Sequence, residues 1–404
     1  MDITLRPISS DELEEYVRAG SLAFGYEFNP AFVESERLVF EPERSVAAFE
    51  GDRLVGGGIA ASLPLAVPGG VVPTAGLTSV AVIPTHRRRG VLSAVMQHHF
   101  EEVRERGEAL SILWASEAII YGRFGYGSAT FFCRFEVERS DAGFIHEHRP
   151  AGRMRVVDRD EAIASFPAVY DRIQPLQPGM IAWTPKWWRY GYTHPEHERE
   201  GKFTFVFHES DQGPDGYVAY RFKPEFVDGS PRGTVEVEEL VALTPEAYSD
   251  LWRYCFDIDL STRIKGGGLR PEEPLLHLLA EPRRLRLRVG DGLWVRTLDV
   301  AAALEARRYA VEGRLRLAVR DALCPWNEGV WELEGGPDGA EVRPSSGEPD
   351  LELGASELGA IYLGGPRLRP LEQAGRVIET SPGAIRRADI MFSWDPPPWS
   401  PHIF

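Results

Sequence analysis

The chain has 404 residues, of which 43% are hydrophobic and 26% charged, and this composition suits a globular protein of roughly two to four domains. It contains neither an apolar run long enough to cross a membrane nor a basic and then apolar N-terminal leader, so no membrane span and no secretory signal are expected. The net charge of −16 disfavours nucleic acid as a partner and favours cations such as polyamines, although it also serves plain solubility.

The first 140 residues predict alternating strands and helices. The predicted strands are residues 44–50 and 53–63, which form a hairpin, then 74–83, 110–115 and 131–138. The predicted helices are residues 11–19 with Ser10 as N-cap, 91–106 with its apolar side chains on one face, and a short helix from Ser116 to Tyr121.

The middle of the chain predicts a second alternating region. Residues 144–153 have few apolar side chains and indicate a linker. The predicted strands are residues 204–207, 216–222, 234–242 and 280–289, the predicted helix is 245–258, and Gly266–Gly268 is predicted as loop. This order echoes that of residues 1–140, so the region is interpreted as a diverged second copy.

The last part of the chain changes character at about residue 291. Its predicted strands are residues 293–296, 314–321 and 329–334, and Asp299 is predicted to cap a helix at 299–309. The tail DPPPWSPHIF has four prolines in ten residues, so it is predicted to run extended. The predicted domains are residues 1–145, 146–290 and 291–404.

The cysteine content indicates a reducing compartment. Cys133, Cys255 and Cys324 are odd in number, far apart and outside any CxxC pair. Neither a disulfide framework nor a metal site is therefore expected, and a cytoplasmic location is predicted.

Residues 79–100, SVAVIPTHRRRGVLSAVMQHHF, carry the strongest functional signal. An apolar strand enters a turn with three arginines and Gly90, and a helix follows. The first amides of a helix lack internal acceptors, and together with arginine side chains they suit a pyrophosphate. The alternative is a solvated basic turn. The segment has neither the GxxxxGK[ST] nor the GxGxxG order of nucleotide-binding loops.

The same segment resembles an acyl-CoA signature. Arg87, Gly90 and Leu92 follow the Q/RxxGxG/A pattern of the GNAT superfamily, except that Leu92 stands at the last small position. The segments LTSVAVIPTHRRRGVLSAVM, ASEAIIYGRFGYGSAT, LEARRYAVEG and LGAIYLGG, with the terminal Phe404, resemble the Eis (enhanced intracellular survival) family of acetyltransferases.

The resemblance implies an α/β (α+β) chain: two tandem GNAT-like domains, the second non-catalytic, and then a sterol-carrier-like domain that delivers the C-terminus. It further implies a homohexamer that uses acetyl-CoA (coenzyme A). The candidate cofactor-binding residues are Val80, Ala81, Val82, Arg87, Arg88, Arg89, Gly90, Val91, Leu92, Ser93, Ser116 and Glu117. The edge at residues 80–82 can pair with the pantetheine amides as a strand does. Helix capping explains Ser116 and Glu117 equally well.

Acetyl transfer to an amine also needs an acid for the leaving thiolate and a base for the amine proton. The resemblance implies that Tyr121 is the acid, with Tyr126 as its rival, and that the terminal carboxylate of Phe404 is the base. A stiff, proline-rich tail with aromatic anchors suits this role, whereas a frayed terminus is the alternative.

The amine side of the site is less defined by the sequence. Phe24, Tyr26, Glu27 and Phe28 form an aromatic and acidic cluster that suits a cation, or else packs in the core. Phe24, Glu27 and Ser79 are the candidate substrate-binding residues. The tryptophans of WTPKWW, residues 183–188, are interpreted as core or as an interface.

The leading functional hypothesis is an N-acetyltransferase that acts on amines of polycationic small molecules such as aminoglycosides. A second hypothesis is a protein or peptide lysine acetyltransferase, which needs the same acid and base but a different pocket. A third is a carrier of hydrophobic ligands with a degenerate GNAT half.

Overall fold

The structure is a computed structural model that describes residues 3–195 and 201–404. The α-helices within these ranges are α1 (Leu13–Phe24), α2 (Pro30–Arg37), α3 (Val91–Glu105), α4 (Ala118–Gly122), α5 (Arg159–Ser165), α6 (Pro167–Ile173), α7 (Pro185–Thr193), α8 (Pro245–Asp257), α9 (Leu275–Leu278), α10 (Val300–Glu305), α11 (Ala355–Ile361), α12 (Leu368–Gln373) and α13 (Ala384–Phe392).

The strands fall into three large sheets and two small ribbons. Those of the first third of the chain are β1 (Thr4–Arg6), β2 (Ser45–Glu50), β3 (Arg53–Ser62), β4 (Leu65–Val67), β5 (Gly70–Val72), β6 (Ala75–Val82), β7 (Leu110–Trp114), β8 (Gly127–Ser128) and β9 (Phe131–Glu138). Those of the middle are β10 (Arg153–Val157), β11 (Phe203–Ser210), β12 (Gly213–Lys223), β13 (Phe226–Val227), β14 (Ser230–Pro231), β15 (Gly233–Ala242), β16 (Ser261–Leu269) and β17 (Arg288–Asp291). The remainder are β18 (Leu293–Thr297), β19 (Gly313–Arg320), β20 (Gly329–Gly336), β21 (Gly339–Pro344), β22 (Leu351–Gly354) and β23 (Ile378–Glu379).

Two sheets of seven strands and one of five organise the described chain. Their strand orders are β1-β2-β3-β6-β7-β18-β8, β10-β11-β12-β15-β16-β9-β17 and β21-β20-β19-β22-β23. Each sheet packs apolar side chains against helices, and the mixture of helices with mixed sheets confirms the predicted α+β class. No helix among the described residues is long and apolar enough to cross a bilayer.

Two strands belong to a different sheet from the one their sequence position suggests. Strand β9 pairs with β16 and β17 in the second sheet, and β18 pairs with β7 and β8 in the first. Both were predicted as strands: β9 as the last strand of the first domain, and β18 as the first strand of the third domain. Strand propensity is local, whereas the choice of partner depends on distant residues, so the sequence identifies the strands and not this exchange. The domain boundaries at residues 145 and 290 stay a prediction.

Most predicted elements are confirmed, among them the β2–β3 hairpin, α3, and the Asp299 side chain that caps α10. Three details are wrong. Ser10 does not cap α1, which begins after Glu12 and runs on to Phe24. The predicted strand 280–289 contains a 3₁₀ turn at Pro282–Leu285, and β17 starts only at Arg288, because a proline cannot donate to a ladder.

The third error concerns Gly266–Gly268, which lies in strand β16 and not in a loop. A Cβ at Gly266 would lie 2.4 Å from the carbonyl oxygen of Val237 on the neighbouring strand. The glycine therefore allows close approach of two backbones, a use that the sequence alone does not distinguish from a flexible loop.

Candidate active site

The two central strands of the first sheet separate at the site. The parallel strands β6 and β7 pair at Ala75–Ser111 and Gly76–Ile112, and the pairing ends there. Opposite Gly58 of β3, strand β6 carries two residues, Ser79 and Val80, so it bulges. Ser79 has the left-handed φ of 51°. The bulge and the missing pairing leave one edge of β6 open toward a cavity.

This first cavity has a volume of about 540 Å³. It brings together most of the predicted site residues: Phe24, Val80, Ala81, Val82, Arg87, Arg88, Gly90, Val91, Leu92, Ser93, Ser116, Glu117 and Tyr121. Sequence reasoning missed four further lining residues, Ala23, His86, Ile120 and Arg123. His86 lies in the segment THRRRG and Arg123 in the segment IYGRFGYG, so their positions in the sequence could have identified both as candidates.

The turn before α3 has the geometry of an anion site. Arg88 and Gly90 have left-handed φ values of 61° and 86°. The first intrahelical bond runs from Ala94 N to Gly90 O, so the amides of residues 91–93 have no acceptor within the helix. Gly90 has no side chain to cap them. These amides line the cavity at the positive end of a 15-residue helix, and Arg88 lines it as well.

The three arginines of the turn have different surroundings. Arg87 donates to the carbonyl oxygens of Val82, at 3.3 Å, and of Ala23, so it holds the turn against α1 at the cavity wall. Arg88 lines the cavity. The structure does not bring Arg89 into it, because the Arg89 guanidinium lies 3.5 Å from the Glu50 carboxylate, which also contacts His86 at 3.0 Å.

Tyr121 and Tyr126, the two candidate acids, are separated by their surroundings. Tyr121 lies on α4, lines the cavity and is 6% exposed. Burial raises the pKa of its phenol, and the nearby Glu117 carboxylate adds to this effect while the Ser116 hydroxyl opposes it. Tyr126 is fully buried beneath the sheet, 2.8 Å from the Ser111 hydroxyl, and does not line the cavity. Of the two, Tyr121 is the one that a thioester in the cavity can reach.

A second cavity of about 240 Å³ lies beside the first and shares Phe24 with it. Its lining is aromatic and acidic: Tyr16, Phe24, Tyr26, Phe32, Glu36, Ser79, Tyr190 and His194 among others. The structure places Phe24 and Ser79 here as expected. Glu27 lines neither cavity and is exposed, and Phe28 packs against the cluster of Leu13 and Tyr16.

The acidic residue of this second cavity is Glu36. Its carboxylate accepts a hydrogen bond from the Tyr190 hydroxyl at 2.9 Å and lies 3.9 Å from His194. Tyr190 belongs to α7 and His194 follows it, far along the chain from Glu36. No local pattern in the sequence marks these three residues. Trp187 and Trp188 of the same helix are buried, which confirms the core interpretation for both.

The C-terminus reaches the same strand. The Thr78 hydroxyl donates to the terminal carbonyl oxygen of Phe404 at 3.2 Å. The ring of Phe404 packs beside Gly76, where an added Cβ would lie 3.0 Å from it. Residues 393–404 form no helix or strand, so the prediction that the proline-rich tail is not helical is confirmed. The terminal carbonyl oxygen therefore lies beside Thr78, the residue before Ser79, whereas Phe404 itself is not among the residues that line the two cavities.

Neither a disulfide nor a cluster of metal-ligating side chains is found among the described residues. Cys133, Cys255 and Cys324 are free, buried thiols. Among residues 3–195 and 201–404, no group of three or more His, Cys, Asp or Glu side chains is arranged to hold a metal ion.

Comparisons with known proteins agree with this architecture. Residues 4–129 and 179–297 each match a family model described as an acetyltransferase (GNAT) domain, and residues 300–401 match a sterol carrier protein domain. The fold is therefore two GNAT domains followed by a sterol-carrier-like domain, as predicted.

Relatives over nearly the whole chain are N-acetyltransferases. The chain is 42% identical to an uncharacterized N-acetyltransferase of Streptomyces avermitilis over 90% of both chains. It is 37% identical to the N-acetyltransferase Eis of Mycobacterium bovis, over 86% of this chain and 85% of that one. The crystal structure of Eis1 from Mycobacterium abscessus covers 100% of both chains with a TM-score of 0.85 and 33% identity. The chain is therefore a GNAT-type N-acetyltransferase, and it belongs to the Eis family.

Proposed function

We propose that the protein transfers the acetyl group of acetyl-CoA directly to an amine of a polycationic small molecule such as an aminoglycoside, with Tyr121 as general acid and the Phe404 carboxylate as general base. One observation carries the proposal: two cavities meet at the bulge of β6, Tyr121 lines the first, and Thr78, the residue before that bulge, binds the terminal carbonyl oxygen of Phe404.

The first cavity fits coenzyme A. The unpaired amides of residues 91–93 and the Arg88 guanidinium suit a diphosphate, and the open edge at residues 80–82 suits the amides of pantetheine. When bound, acetyl-CoA supplies an activated thioester. The bulge at Ser79 interrupts the regular ladder between β3 and β6, and a main-chain N–H group of the open β6 edge is proposed to polarise the carbonyl oxygen of the thioester.

The proposed chemistry needs two proton transfers. The amine nitrogen attacks the thioester carbon, the C–N bond forms and the C–S bond breaks. Tyr121 keeps its proton at neutral pH, because its pKa is raised by burial, and it gives that proton to the departing sulfur. The terminal carboxylate of Phe404 takes the proton that the amine loses.

The second cavity supports a cationic acceptor. Its aromatic rings and the Glu36 carboxylate attract a protonated amine, and the net charge of −16 favours the approach of polycations. One of several amino groups is then deprotonated for attack while the remaining ones stay charged and bind the acidic wall. A small volume of about 240 Å³ favours part of a small molecule over a folded protein surface.

A panel of amines tests the substrate class. The protein is mixed with acetyl-CoA and with aminoglycosides, polyamines or lysine peptides, and release of free thiol is followed. Release with aminoglycosides supports the proposal. Release with peptides alone favours the lysine acetyltransferase, and no release with any amine contradicts the proposed activity and favours a carrier of hydrophobic ligands.

A C-terminal extension tests the base. Adding Gly-Ser after Phe404 moves the carboxylate away from Thr78, so turnover is expected to be lost while acetyl-CoA binding, measured by calorimetry, stays the same. The matched control carries the same dipeptide at the N-terminus. Full turnover in the C-terminally extended chain contradicts the role of the carboxylate.

The assembly and the location are proposed on the same basis. We propose a homohexamer, as the family resemblance implies, and light scattering in solution measures its mass. Three reduced cysteines suit a cytoplasmic protein. Neither a nucleic acid nor a membrane is proposed as a partner, given the acidic charge.

A further inference from the structure

The second GNAT domain contains a strand gap like that of the first. Strands β15 and β16 are parallel and are joined by α8, just as β6 and β7 are joined by α3. They pair from Gly233–Ser261 to Val237–Gly266, and the pairing ends there. In the first domain the corresponding gap opens onto the cofactor cavity.

The helix after β15 does not offer a phosphate site. The Thr244 side chain accepts from Ala247 N at 3.1 Å and so satisfies one of the first amides. Pro245 has no N–H, and Glu246 adds a negative charge to the first turn. The start of this helix therefore offers a diphosphate fewer donors and a less favourable field than the start of α3 does.

The C-terminal tail occupies the gap instead. The Trp399 indole N–H donates to the carbonyl oxygen of Gly268 on β16 at 2.5 Å, and the Arg270 guanidinium lies 4.8 Å from the ring centre. Trp399 N donates to Pro178 O at 2.8 Å, and Gln177 donates to Pro397 O at 2.5 Å. Trp399 is 7% exposed, so the tail is packed into this domain and does not merely lie on it.

On the other side of the gap, His402 contacts a buried carboxylate of β15. The His402 Nε2 atom lies 2.9 Å from the Glu239 carboxylate. Tyr192 and Tyr217 donate to the same carboxylate at 2.6 and 2.5 Å. Burial raises the pKa of Glu239, but His402 and the two phenols outweigh it and hold the pKa below its usual range.

The neighbours of His402 determine its tautomer. The Trp183 indole N–H, which can only donate, lies 2.6 Å from Nδ1, so Nδ1 accepts. The Tyr170 hydroxyl lies 3.3 Å from the same atom and donates to Ile181 O at 2.9 Å. The proton therefore sits on Nε2 and is donated to Glu239. His402 is thus held on both ring nitrogens by side chains of the second domain.

We propose that His402 is a positioning residue: Glu239, in the strand gap of the second domain, fixes the tail at His402 and so keeps the terminal carboxylate at the active site of the first domain. The proposal rests on the proposed role of the Phe404 carboxylate. The second GNAT domain then contributes to catalysis by holding the tail in the place where its fold would otherwise bind a cofactor.

The number of residues between Phe404 and the point where the tail is held determines how far the terminal carboxylate can move. Phe404 is two residues from His402, so fixing His402 confines the terminus to about 7 Å. Without that anchor, the next contact toward the N-terminus of the tail is Trp399, five residues away, so a terminus that leaves Thr78 and Gly76 reaches about 18 Å. The volume accessible to such a released terminus is roughly 17-fold larger, so the effective concentration of the carboxylate falls by the same factor, on the order of tenfold. Ile403 between the anchors is 66% exposed and adds little restraint.

The test compares two substitutions at position 402. His402→Leu keeps the bulk and removes both polar contacts, and kcat is expected to fall about tenfold with unchanged affinity for acetyl-CoA. Carboxypeptidase is expected to release Phe404 and Ile403 faster from this variant. His402→Gln places a donor near the position of Nε2 and is expected to recover most of kcat and of the resistance to carboxypeptidase.

The matched control is Tyr220→Phe, which removes a buried hydroxyl 3.0 Å from that of Tyr254 in the same domain, away from the tail. It is expected to lower Tm and leave kcat and the carboxypeptidase rate unchanged. The proposal is overturned if His402→Leu has the kcat and the carboxypeptidase rate of the unmodified chain, or if His402→Gln, with normal Tm, recovers neither. If the C-terminally extended chain is fully active, the role of the carboxylate fails, and the carboxypeptidase rates alone then decide whether His402 holds the tail.

Discussion

The Tyr16 phenol donates a hydrogen bond to the carbonyl oxygen of Ser79 at 2.8 Å, and so ties α1 to the bulge of β6. Tyr16 is 3% exposed, and Ser79 has a left-handed φ of 51°. This bond connects Tyr16, in the wall of the second cavity, to strand β6, whose residues Val80, Ala81 and Val82 line the first cavity. The bulge is therefore supported from α1 as well as from its partner strand β3.

The substitution Tyr16→Phe is expected to destabilise the fold by about 1 kcal/mol and to lower kcat several-fold, because the bulge loses its support. Urea unfolding and steady-state rates measure the two effects. The matched control is Tyr309→Phe in the third domain, whose buried hydroxyl donates to Leu304 O at 2.9 Å. This control is expected to lower the free energy of unfolding by a similar amount without a change of kcat. Equal kcat values for both variants contradict the link between bulge and catalysis.

Removing the proposed acid tests Tyr121. The substitution Tyr121→Phe is expected to lower kcat by about 100-fold or more, with normal binding of acetyl-CoA, because the thiolate loses its proton donor. Since the Tyr121 pKa is raised, the unmodified chain is expected to keep its activity up to a pH above the ordinary tyrosine value of about 10. The variant has no phenol to ionise at this position, so its residual rate is expected to show no corresponding decrease at high pH. Tyr126→Phe serves as control, and a larger loss there than at Tyr121 would reverse the assignment.

The arginines of the turn are expected to differ in cofactor binding. Arg88→Gln removes a charge from the cavity wall, and the Kd for acetyl-CoA is expected to rise about tenfold in calorimetry. Arg89→Gln is expected to change it little, because that guanidinium pairs with Glu50 at 3.5 Å and is 44% exposed. Equal effects of both substitutions would mean that the turn acts only through its net charge.

The acidic wall of the second cavity is expected to bind the amine. Glu36→Gln is expected to raise KM for an aminoglycoside about tenfold with a smaller change of kcat, since a carboxylate beside a cation is lost. Glu27→Gln is the control and is expected to behave like the unmodified chain, because Glu27 lies outside both cavities. A neutral amine is expected to show no difference between the variants, and an effect on it would contradict a charge interaction.

A buried histidine is expected to make stability depend on pH. Burial, helped by the charge of Arg44, lowers the pKa of His99 to about 3, and its Nε2 lies 2.9 Å from the Ser111 hydroxyl. The unfolded chain takes up a proton below a pH of about 6.5 while the folded chain does not, so the free energy of unfolding falls as the pH drops from there toward 3.

The contribution of His99 is at most about 1.4 kcal/mol per pH unit in that window. Urea unfolding is measured at several pH values. As the pH falls, the free energy of unfolding is expected to decrease less steeply for His99→Gln, whose side chain does not titrate, than for the unmodified chain. Identical slopes would mean that His99 is protonated in the folded state.

Much of the secondary structure could be predicted from residues that are adjacent in the sequence. The strand, basic turn and helix of residues 75–105 need only an apolar run, Gly90 and a periodic apolar face, and all three are features of contiguous residues. The extended tail likewise follows from its prolines, which exclude a helix wherever they lie. Tyr121 was predicted as the acid because the segment IYGRFGYG resembles the Eis family.

From the amino-acid sequence we could predict most of the helices and strands, an anion site at Gly90 and the resemblance to the Eis family. Only the folded chain shows that β9 and β18 exchange sheets, that Arg88 and not Arg89 lines the first cavity, that Glu36 and not Glu27 lines the second, and that the tail enters the gap of the second domain. Backbone conformation depends mainly on neighbouring residues, whereas strand partners and the direction of side chains depend on contacts between segments hundreds of residues apart.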